Sequence, residues 1–526
     1  MATPTRRRSL INFLRVTWVL VILWYEYFTF LSSGWSCHWP DASLLPSRRD
    51  IDTTHKRPCH VLLVADPQVL DYRSYPRRGV LLSYITRSIV NLNLRKNWRA
   101  ALGRKPDAVV FLGNMLDNGR LKMSNEEYEI YFQRFKHIFR LKKEIPQYYI
   151  PGNRDVGLGH SNLFDDRAFD RYISHFGEPN YEVSVANHTL VFLDTPGYAD
   201  EDAKRYGAKK TFDAWVPIPG GTLEFMNTYA SHNHTDPTIV FSHIPFYRAD
   251  GKSCGPHRER GTIRPGVGLG YQNVLEKQSS HRLLSSFKPV AIFSGDDHDY
   301  CEHNHQYQSQ DGSPHVAREV TVKSLSMVMN VRRPGFQLLS LNPTEFREGA
   351  SKPTFADAPC LLPDQLHIYL AVYLPLLLVS LLLVFASNFG QRTSHRHLKS
   401  SSDTTVIRAS AGGRDSDPED IPPTSYTTLS NRLSSTQHHY NKHGLRSPHI
   451  NMSFANQGQR RRIAGASETV SFLSRIRRAV NQPWSGGVSN SSRRRREWLM
   501  PFLRDARDIA IFPLGMFVLI TLWVVT

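Results

Sequence analysis

The chain has 526 residues, a formal net charge of +18 and 40% hydrophobic residues, enough for one or two domains with substantial cores. The basic excess collects at Arg6–Arg8 and in the runs Arg460–Arg462, Arg475–Arg478 and Arg493–Arg496, all near apolar segments. Arginine in that setting is a membrane-topology signal, and with no nucleic-acid-reading module beside it the expectation is no nucleic acid partner.

Residues 16–31 form the first apolar segment, rich in aromatics and interrupted by Glu26. It reads as an uncleaved signal anchor, the alternative being a signal peptide cleaved near residues 32–34. From Cys59 to Pro343 apolar runs alternate with helical patterns. Strands are predicted over 60–65, 108–113, 147–151, 181–194, 238–244, 290–294, 319–327 and 336–341, and helices over 80–102 and 125–141. A βαβα start followed by a strand-rich half argues a layered α/β domain. Two inserts, 197–221 and 247–271, interrupt it, the second glycine-rich, basic and long for an incidental loop. Residues 366–389 carry no Asp, Glu, Lys or Arg and exceed the roughly 20 residues that span a bilayer. Residues 391–500 have the composition of a disordered segment, and 509–525 are a short third span.

The expected organisation is a cytosolic N-terminus and anchor (1–34), a lumenal domain (35–365), a transmembrane helix (366–390), a disordered basic cytosolic segment (391–507) and a C-terminal transmembrane helix (508–526). The orientation follows from the positive-inside rule. The sequons at Asn187 and Asn233 fall in the lumenal part and are expected glycosylation sites. All five cysteines fall there too, which suits an oxidising compartment, although the odd number leaves at least one thiol free or paired elsewhere.

Hydrolysing a phosphate ester at neutral pH needs an activated water and neutralised phosphoryl oxygens, and two divalent ions supply both. Five strand ends offer ligands in order: Asp66 and Gln68, Asn114 with Asp117, Asn153-Arg154-Asp155, His243, and Asp296 with His298. Each alone reads equally as a turn, a surface histidine or a helix cap; the signal lies in having all five after apolar runs.

That order resembles the calcineurin-like metallophosphoesterase superfamily, with its D-x-H, G-D-x-x-D, G-N-H-D/E, H and G-H-x-H pattern. LLVADPQ, PGNRDVGLG, CGPHRERGT, FSGDDHDYCE and TVKSLSMVMNVRRPGFQLLSL more narrowly resemble fungal endoplasmic-reticulum enzymes that remove ethanolamine-phosphate from glycosylphosphatidylinositol (GPI) glycans. The resemblance implies a layered α/β fold, a metallophosphoesterase-type β-sandwich flanked by helices. By position, Asp66, Gln68 and His298 would hold a first metal, Asn153, His243 and Asp296 a second, and Asn114 takes the bridging place. The oxygen-rich set leans toward two manganese ions. Two departures stand out: Asn114 replaces a bridging carboxylate, and Arg154 replaces a histidine that serves the transition state. Arginine clamps phosphoryl oxygen but stays protonated, so it is no general acid. Asp117 and Asp155, which lie nearby, are the compensating candidates for catalysis.

In the second insert His257, Arg258, Arg260 and Arg264 suit a phosphate-bearing glycan or, equally, a solvated basic loop. A Cys254–Cys301 pair would tie that loop to the metal strand, but connectivity does not follow from spacing. The expected function is a membrane-embedded, lumenal phosphodiesterase of the endoplasmic reticulum or early Golgi, acting on GPI-anchored proteins or GPI glycolipid and supporting their export. The alternatives are a catalytically impaired GPI-glycan-binding or cargo-sorting protein on the same fold, favoured by Asn114 and Arg154, and a phosphoesterase acting on another lipid phosphate or a nucleotide.

Overall fold

In the computed structural model, residues 4–44, 57–141, 144–309, 312–343, 353–402 and 490–525 are described. Most of the stretch expected to be disordered, residues 403–489, lies outside them. The strands are β1 (Cys59–Val64), β2 (Ala108–Phe111), β3 (Gln147–Tyr149), β4 (Tyr181–Val185), β5 (His188–Phe192) and β6 (Thr238–Ser242). They continue with β7 (Val267–Gly268), β8 (Tyr271–Gln272), β9 (Ala291–Ser294), β10 (Cys301–Gln308), β11 (Pro314–Thr321), β12 (Gly335–Leu341) and β13 (Phe355–Leu361).

β1 and β2 are apolar on both faces. Leu62, Val64, Val109 and Phe111 pack against Val90, Leu94 and Trp98 of helix Val80–Leu102 and against Tyr128 and Phe135 of helix Asn125–Ile138. Val61, Leu63, Ala108 and Val110 face the other way and meet Leu190, Phe192, Ile239, Phe241 and Phe293 of a second sheet. The far face of that sheet, with Val191, Val240 and Ile292, is covered by helices Thr195–Gly207, Thr222–Ala230 and Lys277–Phe287. Side chains alternate along a strand, so a chain with both faces apolar is bound to layer in this way: helix, sheet, sheet, helix.

The first sheet runs β13-β12-β1-β2-β3 and the second β10-β11-β9-β6-β5-β4. β1, β2 and β3 are mutually parallel, as are β5, β6, β9 and β11. Parallel strands send their carboxyl ends to one edge, where α/β folds place their chemistry.

Several predicted boundaries change. The single strand over 181–194 is a hairpin, because Ala186 and Asn187 take left-handed backbone (φ 51° and 58°) and reverse the chain. The strand expected over 319–327 starts earlier, as β11, and pairs with β10, which alternation in CEHNHQYQ obscures. Part of the first insert is helical, Thr195–Gly207, capped by Asp194 accepting from the Gly197 N–H. Two disulfides form, Cys37–Cys360 and Cys254–Cys301, leaving Cys59 as the free thiol.

Among the described residues three helices are long and apolar enough to cross a membrane: Arg7–Ser43, Gln365–Asn388 and Leu499–Val524. The third begins well before the predicted residue 508. Leu14, Val384 and Ile509 pack at one level of this group and Ile22, Ile520 and Val524 at another. In the first helix the π-helical turn Leu23–Phe28 carries Glu26, which is buried against the domain. Lys96 of helix Val80–Leu102 donates to Glu26 at 2.6 Å and to Gln365 at 2.7 Å, while Gln365 and Tyr373 donate back to Glu26 at 3.1 and 2.9 Å.

Removing one member of a buried ion pair leaves an uncompensated charge, at a cost of about 3–5 kcal/mol. Lys96→Met is therefore expected to lower the thermal midpoint of the full-length protein in detergent. The double variant Glu26→Leu/Lys96→Met is expected to recover most of the loss.

Candidate metal centre

The catalytic edge is built where β1, β2, β3, β6 and β9 end. Asp66 and Gln68 follow β1, Asn114 follows β2, Asn153 opens the short helix Asn153–Val156 after β3, His243 follows β6, and Asp296 and His298 follow β9. Asp66, Gln68, Asn114, Asp296 and His298 all hold left-handed backbone, with φ of 45°, 42°, 55°, 65° and 68°. Such conformations are unfavourable by about 1–3 kcal/mol each and persist where the surroundings over-determine them.

Those surroundings are identifiable. Asp155 is fully buried, and its carboxylate accepts from Met115 N, Leu116 N and Gly152 N at 3.2, 3.0 and 3.0 Å, locking the Asn114 loop to the Asn153 loop. Burial pushes its pKa up to about 6 against these hydrogen bonds, which favour the charged form. Ser324 Oγ donates to the Asp66 carbonyl at 2.8 Å, and Ser324 N to the His298 carbonyl at 3.0 Å. The loops approach so closely that only glycine fits between them. A Cβ on Gly113 would lie 2.4 Å from His243 Nδ1, and one on Gly152 2.3 Å from both the backbone N and Oδ1 of Asn114.

The seven expected ligands are brought together in two halves with Asn114 between them. In one half Gln68 Nε2 lies 3.0 Å from His298 Nε2, and His298 Nε2 lies 3.8 Å from Asp66 Oδ1. In the other, His243 Nε2 lies 3.2 Å from Asn153 Oδ1 and 3.4 Å from Asp296 Oδ1. The orientation of the second half is fixed by carbonyl partners, which can only accept. Asn153 Nδ2 donates to the Gly270 carbonyl at 2.8 Å, so Oδ1 faces His243. His243 Nδ1 donates to the Leu112 carbonyl at 2.7 Å, so Nε2 is the nitrogen left to act as ligand. With the imidazole neutral, three acceptor atoms face one another, an arrangement that a proton on Nε2 or a bound cation resolves. Burial opposes a charged His243, yet hydrogen bonding to Asp296 and the charges of Asp66 and Asp296 raise its pKa to about 9. The same field attracts a divalent ion.

Among the described residues no three His, Cys, Asp or Glu side chains converge as a metal-binding group. The donor set explains this: each half has one carboxylate and one imidazole, and the third donor is an amide, Gln68 or Asn153. Gln68 Oε1 is buried and has no hydrogen-bond partner, and exchange of the amide ends turns it toward His298. These residues fit a pair of hard-to-borderline divalent ions. Asn114 behaves differently. Its Oδ1 accepts from Arg154 N at 2.9 Å and its Nδ2 donates to Asp66 Oδ1 at 2.9 Å, so it meets Asp66 as a donor.

Arg154 reaches Asp117 at 2.7 Å and keeps about a third of its side chain exposed at the mouth of the site. Burial and the neighbouring Asp117 raise the Tyr75 phenol, and Arg78 lies over its ring at 4.0 Å, so the loop after β1 borders this pair. Of the second insert's basic residues, Arg258 pairs with Asp297, next to Asp296. His257 is exposed and edges against Tyr300 at 5.3 Å; Arg260 is exposed, and its carbonyl accepts from Arg258. Both sequon asparagines are exposed: Asn187 sits on the turn between β4 and β5, where its Nδ2 donates to the Pro343 carbonyl at 2.9 Å, and Asn233 on a loop before β6.

Sequence reasoning overlooked Arg120, which no motif marks. Its guanidinium donates to the Asn153 carbonyl at 3.1 Å and the Gly270 carbonyl at 2.7 Å, and burial together with the charge of Arg154 lowers its pKa to about 10. It also overlooked Lys323, which anchors the insert by reaching Asp299 at 2.8 Å and Glu259 at 2.7 Å.

Misplacing catalytic groups by about 1 Å can cost on the order of a hundredfold in rate. Gly152→Ala, which must push Asn114 aside, is expected to reduce metal-dependent turnover at least tenfold by that reasoning. The check is steady-state hydrolysis beside a thermal melt that shows the variant still folded.

The calcineurin-like phosphoesterase family is matched over residues 60–300, which takes in both halves of the site. Cell division control protein 1 of Saccharomyces cerevisiae is 31% identical over 459 residues, 84% of this chain and 87% of that protein. Metallophosphoesterase 1 of Mus musculus is 24% identical over 355 residues, 65% of this chain and 83% of that protein. The Metallophosphoesterase 1 homolog of Drosophila melanogaster is 24% identical over 328 residues, 59% and 78% of the two chains. A family match across the sandwich and a relative matched over most of both lengths agree: this chain belongs to the calcineurin-like phosphoesterase family and is a phosphoesterase.

Proposed function

We propose that this protein is a manganese-dependent phosphodiesterase that removes ethanolamine-phosphate from GPI glycans on the lumenal side of the endoplasmic-reticulum membrane. The observation that carries the reading is the paired half-sites, Asp66–Gln68–His298 and Asn153–His243–Asp296, in a chain whose described residues include three apolar helices of spanning length. Two disulfides and two exposed sequons on the same domain support an oxidising, glycosylating compartment. Cargo export and the GPI-anchored partners belong to this proposal.

Asp66, Gln68 and His298 would hold one ion, and Asn153, His243 and Asp296 the other. Divalent ions in such a site polarise phosphoryl oxygen and make water a competent nucleophile at neutral pH. The chain's own residues do the rest. Arg154, steadied by Asp117, offers N–H donors at the open side of the site, where a phosphoryl oxygen gains charge in the transition state. It cannot protonate the leaving oxygen. Arg258, held by Asp297, adds positive charge beside Asp296 and His298 for an anionic glycan.

The test uses the full chain in a bilayer containing an ethanolamine-phosphate-bearing GPI glycolipid, with release of ethanolamine-phosphate as the readout. Wild type is expected to turn over with manganese and Asp66→Ala to be inactive. Arg154→Ala is expected to lower kcat by about a hundredfold, the scale of losing one transition-state donor. Turnover that survives Asp66→Ala, or cleavage confined to other phosphate esters, would contradict the proposal.

A further inference from the structure

Helix Val80–Leu102 has two apolar faces. Val90, Leu94, Trp98 and Ala101 are buried on the first sheet. The opposite stripe, Leu81, Ile85, Ile89, Leu92 and Lys96, recurs at the three- and four-residue spacing of one helix face. Its far end meets the first membrane helix. Ala100 lies against Gly34, Lys96 against Glu26 and Phe30, and Leu92 joins the cluster of Ile22, Ile520 and Val524. Ile89 lines an apolar cleft of about 650 Å³ with Trp18, Ile22, Leu377 and Phe517.

These contacts fix a direction. As helix Val80–Leu102 is followed backward from Ala100 to Ile89, the first membrane helix is followed backward from Gly34 to Trp18, so the two run side by side in the same direction along the lengths in contact. The amino end of the domain helix therefore points down along the spans. There the stripe loses its protein partners: Val80, Leu81 and Leu82 are 88%, 73% and 55% exposed, and Tyr84 and Ile85 are exposed too. Five exposed large apolar residues among six are unusual on a surface that faces only water. Exposed Arg77 and Arg78 precede them, as basic residues flank apolar segments at a headgroup layer.

This end of the helix is also the catalytic end. It follows the loop that leaves β1 through Asp66 and Gln68, and Arg78 stacks on Tyr75 next to Asp117 and Arg154. The β7–β8 hairpin, whose Gly270 carbonyl receives Asn153, holds Val267, Leu269 and Tyr271 exposed.

We infer that the catalytic edge is a membrane-docking surface: the Val80–Ile85 turns insert into the leaflet on the domain's side of the bilayer, and the site opens toward lipid headgroups beside the β7–β8 hairpin. The occupant is lipid rather than a second chain, because the stripe is continuous with the face already packed on the membrane-spanning helices. The surface is independent of which phosphodiester is cleaved.

The test is electron paramagnetic resonance on the full chain in phosphatidylcholine nanodiscs, in a Cys59→Ser background. Nitroxides are attached at Leu81→Cys and Leu269→Cys, with Val316→Cys on β11, itself exposed, as the aqueous reference. Labels at 81 and 269 are expected to be relaxed more by oxygen than by a water-soluble nickel chelate, with a ratio several-fold above that at 316. A ratio at either position equal to that at 316, or spin–spin broadening showing a second chain over the stripe, would overturn the inference. No turnover is needed, so a failed substrate proposal leaves this result readable.

Discussion

The structure turns on a concentration of acceptor atoms that either a proton on His243 or a bound cation satisfies. His243 Nε2, Asn153 Oδ1 and Asp296 Oδ1 face one another, and Asp66 sits beside His298 and Gln68 a short distance away. Holding lone pairs together in this way is unfavourable, and the fold spends much of its local geometry on it. Left-handed strand ends aim the side chains, glycines at 113 and 152 let the loops close, and Asp155 ties two loops by their backbone amides. The two-sheet layering places all five strand ends on one edge and so makes the convergence possible.

The departures from the family pattern become intelligible in charge terms. A carboxylate at position 114 would meet Asp66 as like charge unless a cation lay between them. Asn114 meets it as a hydrogen-bond donor instead and so steadies Asp66. The cluster thus carries less negative charge, and the amides of Gln68 and Asn153 supplement its oxygen donors. Arg154 adds a fixed positive charge where the family has a titrating imidazole, and Asp117 holds it in place. The balance shifts from proton transfer toward electrostatic stabilisation of a phosphoryl group.

Much of this was legible in the sequence, and the reason is local. Asp66, Asn114, Asn153, His243 and Asp296 follow apolar runs, so hydropathy put polar side chains at strand ends, and the family resemblance named them as candidate ligands. The layered class followed from the βαβα start and the strand-rich half after it. What escaped depended on contacts remote in sequence or on backbone conformation. The turn at Ala186–Asn187 rests on two residues adopting φ that non-glycine residues rarely take. β10 alternates polar residues of nearly equal character, so its period carried little contrast. Arg120 acts through backbone carbonyls more than thirty residues away in sequence. Glu26 looked like a blemish in an apolar span until Lys96, seventy positions on, was found against it.

The most direct measurement is manganese binding by the full-length chain, followed by electron paramagnetic resonance during titration. The account predicts two bound ions per chain, one lost in His243→Ala and a different one in Asp66→Ala, each variant folding as judged by its thermal transition. Absence of tight binding in the wild type, or binding that neither substitution alters, would contradict a metal centre built on these strand ends.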